Sequence, residues 1–217
     1  IENIQQLLET SDNDFKYVTD YANDVKSQIH GSDITFVVNR NINYTNICSF
    51  KCNFCAFSKG RGHDDLRGKP YNISHEEIIR RTNEAIERGA TEVCLQGGIH
   101  PQYSGETYLD IVRAIRSASS SIHIHAFSPL EIDHGRKTLN ISVKEFLVEL
   151  KKAGLNSLPG TAAEILHDEI RAIICPDKLT SKQWINIIET AHSVGLPTTS
   201  TMMFGHVERN SHVAHHL

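Results

Sequence analysis

The chain has 217 residues, enough for one sizeable core and too few for two large domains. Its 22 basic and 26 acidic side chains are interspersed and give a formal net charge of −4, which excludes a broad basic face for nucleic acid. No apolar run is long enough to cross a bilayer and no apolar leader opens the sequence, so no membrane partner is expected; five cysteines, an odd number, do not read as a disulfide framework, so a reducing cytoplasmic setting is expected.

Taken in chain order, residues 1–31 read as a polar helical segment, with neither Pro nor Gly before Gly31. The remainder, 32–217, reads as one partial barrel. Ile34–Val38 and Ile42–Thr45 are rich in β-branched residues and are expected as strands. A stretch rich in Gly, Lys, Arg and Asp from Lys59 to Pro70 reads as a mobile loop. Ser74 and Glu77 form a capping-box pattern ahead of Ile78, Ile79, Ala85 and Ile86, and Gly89 ends that helix. A buried strand is expected at Thr91–Leu95, a helix over Glu106–Ala118 and a strand at Ile122–Phe127. Ser142 and Glu145 open a second capped helix with the stripe Val143, Phe146, Leu147 and Leu150, closed by Gly154. Leu155–Leu158 follows as a strand and Thr161–Ile174 as a helix. Thr180 and Gln183 cap a third helix bearing Trp184, Ile187, Ile188 and Ala191, closed by Gly195, and Thr198–Phe204 is the last expected strand. Strands alternating with helices that stop at Gly are the grammar of βα units on a parallel sheet. About five such strands can be found from Ile42 onward, against the eight of a full barrel; the chain is therefore expected to be a fragment whose further strands lie outside it.

The densest chemical signal is Cys48-Ser49-Phe50-Lys51-Cys52-Asn53-Phe54-Cys55. Three thiolates can hold three irons of a cubane and leave the fourth open to a small molecule, whereas structural zinc and closed electron-transfer clusters take four protein ligands. A zinc knuckle completed by His63 is the competing reading. Cys94 and Cys175, with apolar neighbours, read as inert buried thiols.

In parallel α/β folds the functional loops leave the C-terminal ends of strands. There the sequence places the cysteine loop, Gln96–Pro101, Phe127–Glu131, Pro159–Glu164 and Met203–His206. Gly97 and Gly98 either admit a ligand close to the backbone or make a tight turn. Glu131 and Glu164 are either ligand-binding or capping carboxylates, with Glu164 in the first turn of its helix. His123 and His125 share a strand face, pointing into the lumen or under the helices. His206 either contacts substrate or fills the core. Of thirteen histidines, His212, His215 and His216 are spaced like a metal tract, but with no acidic or Cys partner they read as a solvated helix face.

These strings together resemble the radical SAM (S-adenosyl-L-methionine) superfamily. More narrowly, they resemble the 5-amino-6-(D-ribitylamino)uracil–L-tyrosine 4-hydroxyphenyl transferases, the tyrosine-using part of deazaflavin (FO) synthase. The likeness rests on INYTNIC at Ile42–Cys48, CNFCAFS at Cys52–Ser58, QGGIHP at Gln96–Pro101 and HAFSPLEI at His125–Ile132, with LPGTAAEIL at Leu158–Leu166, ICPDK at Ile174–Lys178 and STMMFGH at Ser200–His206. It implies an α/β fold, a partial radical SAM (β/α) barrel of parallel strands with outer helices, preceded by the helical segment. It implies a 4Fe–4S cluster on Cys48, Cys52 and Cys55, SAM on the open iron, and Phe54, Gly97 and Gly98 beside these cofactors. It implies that SAM cleavage initiates removal of a hydrogen from L-tyrosine, whose 4-hydroxybenzyl unit then joins 5-amino-6-(D-ribitylamino)uracil. His125, Glu131, Glu164 and His206 are the residues it points to for substrate, with a reducing electron donor and the companion FO synthase subunit as partners. Futalosine-pathway enzymes of menaquinone synthesis share the cysteine and Gly-Gly strings and are the alternative.

Overall fold

The computed structural model describes residues 1–58 and 69–217. The loop read at Lys59–Pro70 therefore lies outside the described residues except for its last two positions, and so does His63. Two helices open the chain, α1 (Glu2–Leu8) and α2 (Asp12–His30), and neither buries a residue.

Three parallel strands follow, β1 (Asn39–Asn43), β2 (Glu92–Gln96) and β3 (His123–Ala126), in the spatial order β1-β2-β3. Their register aligns Asn39 with Glu92 and Glu92 with His123. Parallel neighbours need long crossovers. These contain α3 (His75–Glu87) and α4 (Gly105–Ala118). Five further helices are α5 (Pro129–Thr138), α6 (Val143–Ala153), α7 (Asp168–Ile174), α8 (Ser181–Ser193) and α9 (Asn210–His216). Side chains alternate across a strand, and here they sort cleanly. Ile42, Val93, Leu95, Ile124 and Ala126 have no exposure and join Ile78, Ile111, Ile115, Phe146 and Leu147 of the helices in one core. The opposite face carries Asn39, Asn41, Glu92, Cys94, His123 and His125, a polar inner surface.

Among the described residues the sheet continues beyond β3 only as single bridges, His125 with Ser157 and Leu158 with Thr198, both parallel. Two expected strands, Leu155–Leu158 and Thr198–Phe204, are thus corrected to contact points. Pro159 offers no N–H, and beyond it Gly160 N and O pair with the hydroxyls of Thr199 and Thr201 instead of with backbone, so the ladder stops there. Ile34–Val38 is not a strand either: Ile34 and Phe36 are exposed, and pairing is limited to Val38 O, which accepts from Thr91 N and Glu92 N. The helix expected over Thr161–Ile174 shrinks to α7, because Ala162 and Glu164 have φ of 61° and 46°, outside any right-handed helix. Conversely, α5 occupies residues that read as loop, although Ser128, Pro129 and Glu131 are the cap, first-turn proline and box partner of a helix start.

Arg116, at the end of α4, locks the fourth sheet position. Its guanidinium donates to Gly154 O at 2.7 and 3.1 Å, to Ile122 O at 2.6 Å and to Asn156 Oδ1 at 2.5 Å. Asn156 Oδ1 in turn accepts from Ile124 N at 2.8 Å. Replacing Arg116 by Met keeps the stem and strands the Gly154 and Ile122 carbonyls. The expected cost is about 2–4 kcal/mol, read as a lower urea midpoint in equilibrium unfolding.

Candidate functional site

The site begins where β1 ends. Tyr44 is fully buried, and its hydroxyl donates to the carboxylate of Glu131 in α5. Thr45 bridges to Asn72 in antiparallel sense, and its carbonyl accepts Gly98 N at 2.9 Å. The cysteine loop is then fastened at two places. Ser49 N donates to Ile99 O at 2.9 Å, and Ile99 N points at Cys48 Sγ at 3.3 Å. Asn53 donates through its backbone to Ile174 O at 3.0 Å and through its side chain to Ile173 O at 2.7 Å, at the last turn of α7. Ser58 N points at Cys55 Sγ at 3.3 Å. Backbone N–H groups aimed at sulfur favour the thiolate and are the tuning contacts of cysteine-ligated iron.

The two glycines exist for this loop. A Cβ on Gly97 would lie 2.3 Å from the Tyr44 ring, and one on Gly98 would lie 2.3 Å from Ile47 O and 2.9 Å from Cys48 Cβ. The loop after β2 therefore passes against the cysteine loop at backbone distance.

Cys48, Cys52 and Cys55 line one cavity of about 200 Å³ together with Gly97, Gly98, Glu131 and Lys178. Burial pushes the Cys52 thiol up to about 11, against the pull of Lys178; a metal ion removes that proton outright. The three sulfurs, with N–H groups on two of them and an ammonium near the third, fit a metal cluster as ligands. Burial disfavours the Lys178 ammonium, yet Glu164 and Cys52 together hold its pKa above the ordinary value. Glu164 and Lys178 form an ion pair with side chains 8% and 12% exposed. Lys178 Nζ also lies 5.4 Å from the centre of the Phe54 ring. Glu131 is 2% exposed. Burial raises its pKa although Ser128 and Tyr44 donate to it and the Gly97 backbone also favours its ionised form.

Of the residues singled out from sequence, the three cysteines, Gly97, Gly98 and Glu131 meet in this cavity. Glu164 reaches it through Lys178. It does not stand in a helix's first turn, because the backbone there is left-handed. Phe54 is 39% exposed and meets the site only through Lys178, whose Nζ lies over its ring. His125 lines a second cavity of about 510 Å³, with Glu92, Cys94 and Ser157. There both His125 Nδ1 and His123 Nε2 lie 2.7 Å from Ser157 Oγ. That cavity lies on the face of the sheet opposite the helix-packed core, so neither histidine points under the helices. His206 is not on a strand; its Nδ1 lies 3.0 Å from Glu208 and its Nε2 3.1 Å from Met203 O. Sequence reasoning missed Tyr44 and Lys178. Both stand inside quoted strings, but nothing local marks Tyr44 as a donor to a residue 87 positions on, or Lys178 as buried.

Comparison with known proteins adds three findings. The family model described as the radical SAM superfamily matches residues 42–217. Among curated proteins, the 5-amino-6-(D-ribitylamino)uracil–L-tyrosine 4-hydroxyphenyl transferase of Methanococcus aeolicus is 46% identical over 215 residues, covering 98% of this chain and 58% of its own. The FO synthase of Mycobacterium leprae is 48% identical over 200 residues, covering 92% of this chain and 23% of its own. The chain thus spans little more than half the length of the first and about a quarter of the second. Among solved structures, methylornithine synthase (PylB) superposes with a TM-score of 0.74 at 17% identity, over 98% of this chain and 58% of that one. The hydrogenase maturase HydG of Carboxydothermus hydrogenoformans gives 0.69 at 19% identity, over 93% and 44%. At such identity the likeness is one of fold: a parallel α/β sheet with outer helices, in agreement with a partial radical SAM barrel.

Two outcomes follow from the geometry. Gly98→Ala drives a methyl into the Ile47 carbonyl, so the loop must shift, and iron incorporation should fall well below that of wild type in a colorimetric iron assay. Because Glu131 keeps its proton to a higher pH when folded than when unfolded, the folded state binds the extra proton. Stability should therefore decline as pH rises from about 4.5, the unfolded value, through the raised folded value. Glu131→Gln should flatten that decline in urea titrations taken between pH 4 and 7.

Proposed function

The chain belongs to the radical SAM superfamily, and from that premise we propose that it is the catalytic part of a transferase that joins the 4-hydroxybenzyl group of L-tyrosine to 5-amino-6-(D-ribitylamino)uracil. The observation that carries the reading is the single cavity in which three cysteines from one loop face the backbone of Gly97-Gly98 and the buried charges of Glu131 and Lys178. Relatives named for this transfer match nearly the whole chain at 44–47% identity and support the substrate assignment.

A 4Fe–4S cluster with SAM on its open iron would supply the reducing electron and the radical that attacks tyrosine. Cys48, Cys52 and Cys55 are the residues that would hold it. Gly97 and Gly98 leave the wall without side chains, so an amino-acid ligand can approach the backbone. Lys178 sets a positive charge beside the Cys52 sulfur and is itself held by Glu164. Glu131, with its pKa raised by burial, offers a carboxyl group to the cavity wall while binding Tyr44 and Ser128. Apolar walls from Phe50, Ile99 and Leu130 keep water from the reacting groups. His125 is assigned to the lumen side of the substrate space, and His206 to the outer loop. The electron donor and a companion FO synthase subunit are the partners this reading requires.

Anaerobic reconstitution tests the reading. With the chain completed to the length of its transferase relatives, wild type should take up about four irons and four sulfides per chain and cleave SAM to 5′-deoxyadenosine, with a benzylated aminouracil adduct formed when tyrosine and the ribityl-aminouracil are present. Cys52→Ala should lose both cluster and cleavage, while Cys94→Ala and Cys175→Ala retain them. A single zinc in place of iron, or cleavage that responds to a futalosine-pathway substrate and not to tyrosine, would overturn it.

A further inference from the structure

The fold draws together a second set of metal-ligating side chains, outside the cysteine cavity. His167 precedes α7, Glu169 lies in its first turn and His212 lies in α9, 45 residues beyond His167 in sequence. One ligand atom from each lies within 4.8 Å of the other two. The rings of His167 and His212 are 4.6 Å apart, and His215 stands with its ring 5.1 Å from that of His167. His212 Nε2 is 3.9 Å from Glu169 Oε2, beyond a hydrogen bond. Above all, His167 Nδ1 is buried and has no hydrogen-bond partner among the described residues. A buried imidazole nitrogen with no partner costs free energy unless something occupies its lone pair or takes its proton.

We propose that His167, His212 and Glu169 form a divalent-metal site, of zinc type, that clamps α9 to α7. Two imidazoles and one carboxylate suit zinc, with a fourth position left for water or for the exposed His215. Tetrahedral zinc at about 2.0–2.1 Å from each donor sets ligand atoms roughly 3.4 Å apart. The three groups must close by little more than an ångström, and the Glu169 side chain, 67% exposed, is free to swing in. The site asks one rearrangement of the protein. His212 Nδ1 accepts Arg209 N at 3.0 Å, which puts the neutral ring's proton on Nε2. Coordination through Nε2 moves that proton to Nδ1 and opens the Arg209 contact. The clamp reaches further than its own ligands. Ile170, Ile174 and Val213 share a small core against which Cys52 packs, and the end of α7 holds Asn53 of the cysteine loop. A metal here braces the helix on which that loop rests.

The test is a zinc titration by calorimetry on cluster-loaded protein under anaerobic conditions, repeated with cobalt for its visible spectrum. One equivalent should bind beyond the cluster iron. The cobalt bands should be those of nitrogen and oxygen donors, without sulfur charge transfer. His167→Asn and His212→Gln should each weaken binding at least tenfold, and zinc should raise the Tm of wild type but not of His167→Asn. Glu169→Gln, at an exposed position that leaves the core untouched, should weaken binding several-fold. Cys52→Ala should keep this zinc, which separates the site from the cysteine loop. Equal affinity in wild type, His167→Asn and Glu169→Gln would overturn the proposal, as would a cobalt spectrum dominated by sulfur.

Discussion

One buried carboxylate ties the ends of all three strands together. Glu131 accepts from Tyr44, which follows β1, and from the amide and hydroxyl of Ser128, which follows β3, while the backbone of Gly97, which follows β2, favours its ionised form. Each of the three residues leaves a different strand at its C-terminal end, the end where functional loops of parallel folds gather. Without that convergence the loop bearing the cysteines, the glycine loop and the start of α5 would have no common fixed point. The arrangement costs desolvation, visible in the raised pKa of the carboxyl group, and the several donors offset it in part. A carboxylate with that many donors is satisfied, and therefore rigid.

Rigidity at the strand ends explains the intolerance of bulk beside it. Tyr44 brings its ring against the Gly97 backbone because its hydroxyl must reach Glu131. Cys48 in turn sits against Gly98, so that Ile99 N can face its sulfur. The far side of the cysteine loop takes its support from α7 through Asn53. The three sulfurs are therefore held by residues distant in sequence, and a loop that reads as local is tertiary in its geometry.

The sequence was legible where a local rule decides the outcome. The capping boxes at Ser142 and Thr180, the stripe at Phe146, Leu147 and Leu150, and the glycines at 89, 154 and 195 with positive φ all appear as read. The parallel sheet and the cysteine loop followed from the same reading. Legibility failed where partners decide. Leu155–Leu158 and Thr198–Phe204 have strand composition, but Pro159 and the threonine hydroxyls on Gly160 stop the ladder they would join. Ile34–Val38 has the same composition and lies exposed. Thr161–Ile174 has helical composition but opens on left-handed backbone at Ala162 and Glu164. At the site, Cys48, Cys52, Cys55, Gly97, Gly98 and Glu131 were recoverable from motif and position. Tyr44 and Lys178 were not, since their roles rest on contacts across the fold. The histidines near the C-terminus lacked an acidic partner in sequence, and the fold supplies one in Glu169.

The Glu164–Lys178 pair shows why such a charge arrangement persists. A buried ion pair seldom adds stability over an apolar pair of like volume, because desolvation of both groups cancels much of the attraction. Stability alone therefore gives little reason for this one, and its position suggests a different use. Lys178 faces Cys52 and the cavity, while Glu164 holds it from behind on a backbone forced left-handed. Removing Glu164 would leave an unpaired ammonium among sulfurs. Removing Lys178 would leave an unpaired carboxylate and take the positive charge from the cysteine loop. The pair thus fixes a dipole whose positive end points at the donor atoms, and water-poor surroundings make that field stronger than it would be at the surface. In a cavity that gathers thiolates, a cation anchored from the rear is a device for lowering the cost of negative charge at one chosen sulfur, and the strained backbone at Glu164 is part of what holds it there.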